Sequence, residues 1–324
     1  MIVRWGLDAL PEVLAELGIE RALLISSERW RDLRLPVASV FYGARPHTPA
    51  DSVVEATEAA GGSDGLVALG GGSAIDTAKA VSAETGLPVV SVPTTYSGAE
   101  WSPAFGMRDE QRAVKGGGGG AHVAGIVYDA ELTLGLPSAE TAGTALNGLA
   151  HCAEALYVEG RNEEADTHAL EGARKISASL PLVLADGEYV AGRRELLEGA
   201  MHAGQALAGA GLGLGHAMAQ ALGGRYGLPH GALNAICLPP ALRFNLPVAE
   251  AEIARFGEAM GRDDPVGRVE ELARLGGFTL LRHLGVFEQD LDEVGAEAAS
   301  RRGAKANPRA ASPEEIAALL RSVW

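Results

Sequence analysis

The chain has 324 residues, 47% of them hydrophobic, and 27 lysines and arginines against 42 aspartates and glutamates give it a net charge of -15. That length and apolar content describe a globular protein of roughly two domains, while the acidic balance argues against nucleic acid or an anionic membrane as partner and leaves room for a small anionic substrate met by local positive groups. The opening MIVRWGLDALPEVLAELG lacks an apolar run of signal type, no later stretch has the uncharged apolar length of a membrane span, and Cys152 and Cys237 have no metal-type spacing, so a cytoplasmic protein with two buried free thiols is expected.

Short β-rich runs come first: ALLISS, ASVFYG, GLVALG, PVVSVP and GIVYD, alternating with helical patterns such as PADSVVEATEAAGG and SAIDTAKAVSAETG. This alternation predicts a parallel sheet with helices on its faces. Within LVALGGGSAIDTAKAV the apolar strand ends at Leu69, Gly70 to Gly72 make a turn, and Ser73 is placed to cap a helix carrying Asp76 and Lys79. Two uses fit a turn without side chains: a sharp strand-to-helix reversal, or a phosphate held by bare N–H groups at a helix N-terminus. It is no Walker A loop, and Ile75 breaks the G-x-G-x-x-G pattern. The next strand ends in PTTYSG, where Thr94, Thr95 and Ser97 either cap a turn or bond phosphate and ribose oxygens. Ligands of parallel sheets gather at strand carboxyl ends, so two such loops side by side favour the ligand. Near the second strand, Glu28 suits a free ribose and Arg45 a 2′-phosphate. The run KGGGGGAH, residues 115 to 122, reads as a mobile surface loop, with a lid as the sharper alternative.

From LPSAETAGTALNGLAHCAEALY onward, Ala/Leu/Glu/Arg-rich helical patterns continue to the end. An α/β domain over 1–137 and an all-helical domain over 138–324 are expected. Of the eight histidines, His47, His122, His168, His202 and His283 read as structural. Asn147 and His151 are four apart on one predicted helix face, while His216 lies in a helical pattern and His230 after a glycine-rich turn, so that the imidazoles can converge. Three histidines with one oxygen donor would suit Zn or ferrous Fe.

The stretches GGGSAIDTAKA, VPTTYSGAEWSP, LNGLAHCAEALY, GHAMAQALGGRYGLPHGALNAICLPPALRFN and NPRAASPEEIAALLRSVW follow one another as in the iron-containing (group III) alcohol dehydrogenase family, which the chain resembles over nearly its whole length. VPTTYSGAE, GIVYDAELTLGLP and ALNGLAHCAEALY look most like its maleylacetate reductase branch. The resemblance implies a Rossmann-like dinucleotide-binding domain and a helical domain of the dehydroquinate synthase-like type, with the active site in the cleft between them, in a homodimer. It implies that Gly70, Gly71, Gly72 and Ser73 form the pyrophosphate turn, that Asp76, Lys79, Thr94, Thr95 and Ser97 touch the cofactor, and that Asn147, His151, His216 and His230 stand at the catalytic and metal positions. The chain departs from the family in three places. Asn147 stands where the dehydrogenases carry Asp, and a neutral amide is a poorer ligand for a divalent ion; Gln220 stands where many carry a proton-relaying histidine; and the glycine run replaces an ordinary polar segment.

The implied reaction is NADH- or NADPH-dependent reduction of maleylacetate, a dicarboxylate, to 3-oxoadipate in aromatic degradation. His151, His216 and His230 would face the ketone oxygen, with His230 as the preferred proton donor, and Lys115, Arg225 and Arg243 are candidate carboxylate anchors. Three other readings stay open: an Fe- or Zn-dependent NAD(P) alcohol dehydrogenase, a lyase of the dehydroquinate synthase kind, for which a fuller set of metal- and phosphate-binding residues is wanting, and an NAD(P)-binding protein that has lost catalysis.

Overall fold

A computed structural model describes residues 1–109 and 111–324. Its contacts divide the chain into two units, Met1–Thr95 with Ala99–Gly135, and Tyr96–Gly98 with Leu136–Trp324.

The first unit runs β1 (Ile2–Trp5), α1 (Leu10–Glu16), β2 (Ala22–Ile25), β3 (Ser39–Phe41), α2 (Ala50–Ala59), β4 (Gly65–Gly70), α3 (Gly72–Thr85), β5 (Val89–Pro93), β6 (Phe105–Asp109), β7 (Val114–Gly118) and β8 (Val123–Tyr128). Six strands form one sheet in the order β1-β8-β5-β4-β2-β3, every neighbour parallel. The central strands read as unbroken apolar runs because both faces are covered. On one face Leu23, Leu66 and Ala68 pack with Val53 and Ala56 of α2 and Ile75 and Ala78 of α3; on the other Leu24, Val67, Leu69, Val90 and Val92 pack with Leu10, Val13 and Leu14 of α1. Each fully buried Leu, Ile or Val among them is worth about 1.5–3 kcal/mol over its exposed state.

All five β-rich runs are strands. The first strand, IVRW, is only four residues long, too short to declare a period. The glycine run differs from expectation: Gly116, Gly117 and Gly118 lie in β7, paired antiparallel with β6. The reason is close approach. A Cβ on Gly117 would stand 2.2 Å from the Phe105 carbonyl oxygen and one on Gly118 2.5 Å from the Phe105 ring, so only a bare strand fits there.

The second unit is built from α4 (Ser138–Ala155), α5 (Glu163–Ala185), α6 (Val190–Ala210), α7 (Leu214–Tyr226), α8 (His230–Ala259), α9 (Pro265–Leu275), α10 (Leu291–Ser300), α11 (Arg302–Lys305) and α12 (Pro313–Arg321). Nearly all of α4 is buried. α7 and α8 share a core with α10 and α12 through Leu222, Leu233, Ile236, Leu291, Ile316 and Leu320. Tyr96–Gly98, the tail of the loop after β5, belongs to this unit, a contribution that a single boundary near residue 137 does not foresee. Among the described residues no helix is long and apolar enough to cross a membrane.

α4 and α8 touch backbone to backbone, since a Cβ on Gly231 would lie 2.3 Å from the carbonyl carbon and oxygen of Gly143. Gly231→Ala therefore has to push α8 off α4 and is expected to cost about 1–3 kcal/mol. Gly116→Ala, where a Cβ meets nothing within 4 Å, is expected to be tolerated. Thermal unfolding of the two variants beside the parent checks this.

Candidate active site

In the first unit, β4 and β5 pair side by side through Gly70 and Pro93, so their carboxyl ends open together. Gly70 has φ +147°, a region closed to most side chains, and a Cβ on Gly71 would lie 2.8 Å from Thr95 Cγ2. The turn closes when the Thr94 N–H donates to the Gly70 carbonyl at 3.0 Å. α3 starts at Gly72 with Gly71 as its N-cap, so Ser73 does not cap it. Instead Ser73 Oγ accepts from the His47 N–H at 3.1 Å and its carbonyl from the Thr48 hydroxyl. The bare N-terminal turn of α3 is a place for a phosphate, and the Thr95 hydroxyl beside it finds no partner among the described residues.

Asp76 and Lys79 serve a different end. Lys79, 1% exposed, spends its three N–H donors on the carbonyls of Ala99 and Ala104 and on Asp76 Oδ1 at 2.8 Å, leaving none for a phosphate. Asp76 Oδ2 accepts from the Gly106 N–H at 3.0 Å. The pair braces the β6 hairpin. Arg45 is ion-paired with Asp51 and Glu28 with Arg31.

In the second unit the three expected histidines come together. The rings of His151 on α4 and His216 on α7 stack with centroids 4.6 Å apart and 16° between planes, and His230, first residue of α8, stands 5.8 Å from His216. Nδ1 of His151 and Nε2 of His216 are buried without a partner among the described residues. Burial, with the neighbouring His216 second, holds the pKa of His151 well below its ordinary value.

Behind His216 lies Glu154, at 0% exposure. Its carboxylate accepts from Nδ1 of His216 at 2.7 Å and from the N–H groups of Gly213 and His216, the start of α7, at 2.6 and 3.1 Å. Gly213 and Gly215 leave it room, since a Cβ on either would lie 3.0 Å from the carboxyl group. Asn147 donates from Nδ2 to the Ser97 carbonyl at 3.2 Å and accepts at Oδ1 from Asn234 Nδ2 at 2.6 Å; Asn234 Nδ2 also lies 3.1 Å from His230 Nε2. The sequence reading missed Glu154 and Asn234. Their signal was helix spacing, Glu154 three residues after His151 and Asn234 four after His230.

The remaining expectations separate. Arg225 is ion-paired with Asp290 and Glu293, and Arg243 with Glu270. Lys115 lies in β7 opposite Arg108. Gln220 Oε1 accepts from Arg301 at 3.4 Å. The donor set does not fit a divalent ion. Its amide oxygen is already engaged by Asn234, its carboxylate faces away onto α7, and among the described residues no three His, Cys, Asp or Glu converge on one point.

The family description "Iron-containing alcohol dehydrogenase" matches residues 4–123, and "Fe-containing alcohol dehydrogenase family, C-terminal" matches residues 141–324. The maleylacetate reductase of Burkholderia cepacia is 35% identical over 99% of this chain and 95% of its own length. Among solved structures, the maleylacetate reductase of Rhizobium sp. strain MTP-10005 superposes with a TM-score of 0.90 at 32% identity, covering 100% of this chain and 95% of that one. An iron-containing alcohol dehydrogenase of Corynebacterium glutamicum gives 0.92 at 30% identity, covering 100% and 94%.

A histidine buried in its neutral form makes stability depend on pH. Because the folded pKa of His151 lies below its ordinary 6.5, the unfolded chain binds a proton that the folded chain refuses once pH falls below about 6.5. Stability is thus full above that range and declines beneath it, by up to about 1.4 kcal/mol per pH unit for this one group. Urea midpoints from pH 8 down to about 5 are expected to fall less steeply in His151→Gln than in the parent.

Proposed function

Since the chain belongs to the iron-containing alcohol dehydrogenase family and is an NAD(P)-dependent oxidoreductase, we propose that it reduces maleylacetate to 3-oxoadipate with hydride from NADH or NADPH. The observation that carries this reading is the cluster of buried His151 and His216 with half-buried His230, whose inward groups are all imidazole nitrogens and whose one carboxylate, Glu154, stands behind His216. Such a cluster suits negative charge that develops during reaction on an oxygen. The names of the relatives similar over nearly the full chain support the same substrate.

The family implies a nicotinamide cofactor and a metal. The bare turn at Gly70, Gly71, Gly72 and Ser73 takes the cofactor pyrophosphate, with Thr94 and Thr95 beside it and Ser97 further along the same loop. A dihydronicotinamide held there would supply hydride to the alkene carbon farther from the ketone. Addition at that carbon moves the alkene electron pair toward the ketone and leaves an enolate. The imidazoles receive the charge on the enolate oxygen, and a proton delivered to the neighbouring carbon completes the saturated ketone. Sequence alone put His230 forward as proton donor. The geometry favours His216, the imidazole oriented by a carboxylate at its back, 2.7 Å from its Nδ1.

The test follows oxidation of NADH and NADPH at the nicotinamide absorbance with freshly generated maleylacetate, before and after chelation. Turnover that survives chelation is expected. No turnover with maleylacetate, together with chelator-sensitive oxidation of simple alcohols, would move the chain to the metal-dependent dehydrogenases.

A further inference from the structure

We propose that Asn234 is a positioning residue: it fixes the His230 ring with its proton on Nδ1, through a one-way chain of hydrogen bonds that starts at the Ser97 carbonyl. The direction of the chain follows from what each atom is able to do. A carbonyl oxygen only accepts, so the Asn147 atom 3.2 Å from Ser97 O is the NH2 group, and the amide oxygen of Asn147 must face the other way. That oxygen takes a hydrogen from Asn234 Nδ2 at 2.6 Å. The second hydrogen of the same NH2 group points to His230 Nε2 at 3.1 Å. Nε2 is therefore an acceptor, and a neutral imidazole that accepts at Nε2 carries its hydrogen on Nδ1.

Burial makes the arrangement binding, since Asn147 is 5% and Asn234 1% exposed, and a wrongly turned amide would set like against like where water does not mediate. The chain also supplies a reason for the residue type at position 147. An aspartate there has no hydrogen for the Ser97 carbonyl and would bring two oxygens face to face. Asn147 is thus part of the device that orients His230, and Asn234 transmits the orientation. In the reduction proposed above, on which only this consequence rests, the Nδ1–H of His230 is a neutral donor held ready for the ketone oxygen as charge builds there.

The test uses the full chain with 15N-labelled histidine, at a pH where the imidazoles are neutral, with His230 assigned by the signals lost in His230→Gln. The expected spectrum has His230 Nε2 in the unprotonated range and Nδ1 in the protonated range. Asn234→Asp, which offers the ring an acceptor, is expected to move the proton to Nε2. Asn234→Ala is expected to lower kcat for maleylacetate reduction about 10–100-fold, as is usual when a group orienting a functional imidazole is removed, with KM for the nicotinamide unchanged. A protonated Nε2 in the unaltered protein overturns the proposal without any variant having to fold. So does an Asn234→Ala enzyme with parental kcat. Absence of maleylacetate turnover in the parent sinks only the substrate reading, because the nitrogen spectrum decides the orientation of His230 by itself.

Discussion

The helical unit is organised around a buried carboxylate. Glu154, fully removed from water, would be intolerable without donors, and it finds three of them at the start of α7: two backbone N–H groups and the ring of His216. Because Glu154 is on α4 and its donors are on α7, satisfying the charge also fixes one helix against the other. The stack of His151 on His216 follows from that clamp, as both rings ride on the helices it joins. Without it, three histidines from three helices would have no common reason to meet.

A second constraint is steric. Gly143 and Gly231 let α4 and α8 approach at backbone distance, which brings His230 and Asn234 within reach of Asn147. Glycines do similar work in the first unit. The turn after β4 needs Gly70 for its backbone angle and Gly71 for the approach of Thr95, as the sharp reversal read from the sequence requires.

Much of the fold was legible because it repeats. Central strands announce themselves as apolar runs, and the parallel arrangement follows from their alternation with helices. The histidine trio was legible too, through spacing and family resemblance. What escaped has no period and depends on pairing. Glu154 looks like any acid on a helix until its donors are known, and Asn234 looks like any polar residue near a helix start. Lys79 and Asp76 sit where a cofactor contact is easily imagined, yet the lysine is spent on carbonyls that only folding brings to it. The glycine run misled for a related reason: composition speaks for flexibility, whereas Phe105 and a facing strand decide otherwise.

The three residues Tyr96–Gly98 alter what the second half of the chain is. Tyr96 takes a hydrogen bond from the buried Arg193 at its hydroxyl and gives one to Thr144 from its backbone, while Ser97 receives Asn147. The helical unit therefore encloses a piece of polypeptide made some forty residues before its first helix. During synthesis that piece emerges early and must wait for α4 and α6, which complete around it. A chain begun at residue 138 would carry every helix and every site histidine, and would still hold a buried arginine without its phenol and an asparagine without its carbonyl. The half that looks separable in the sequence draws part of its own interior from a loop ahead of it.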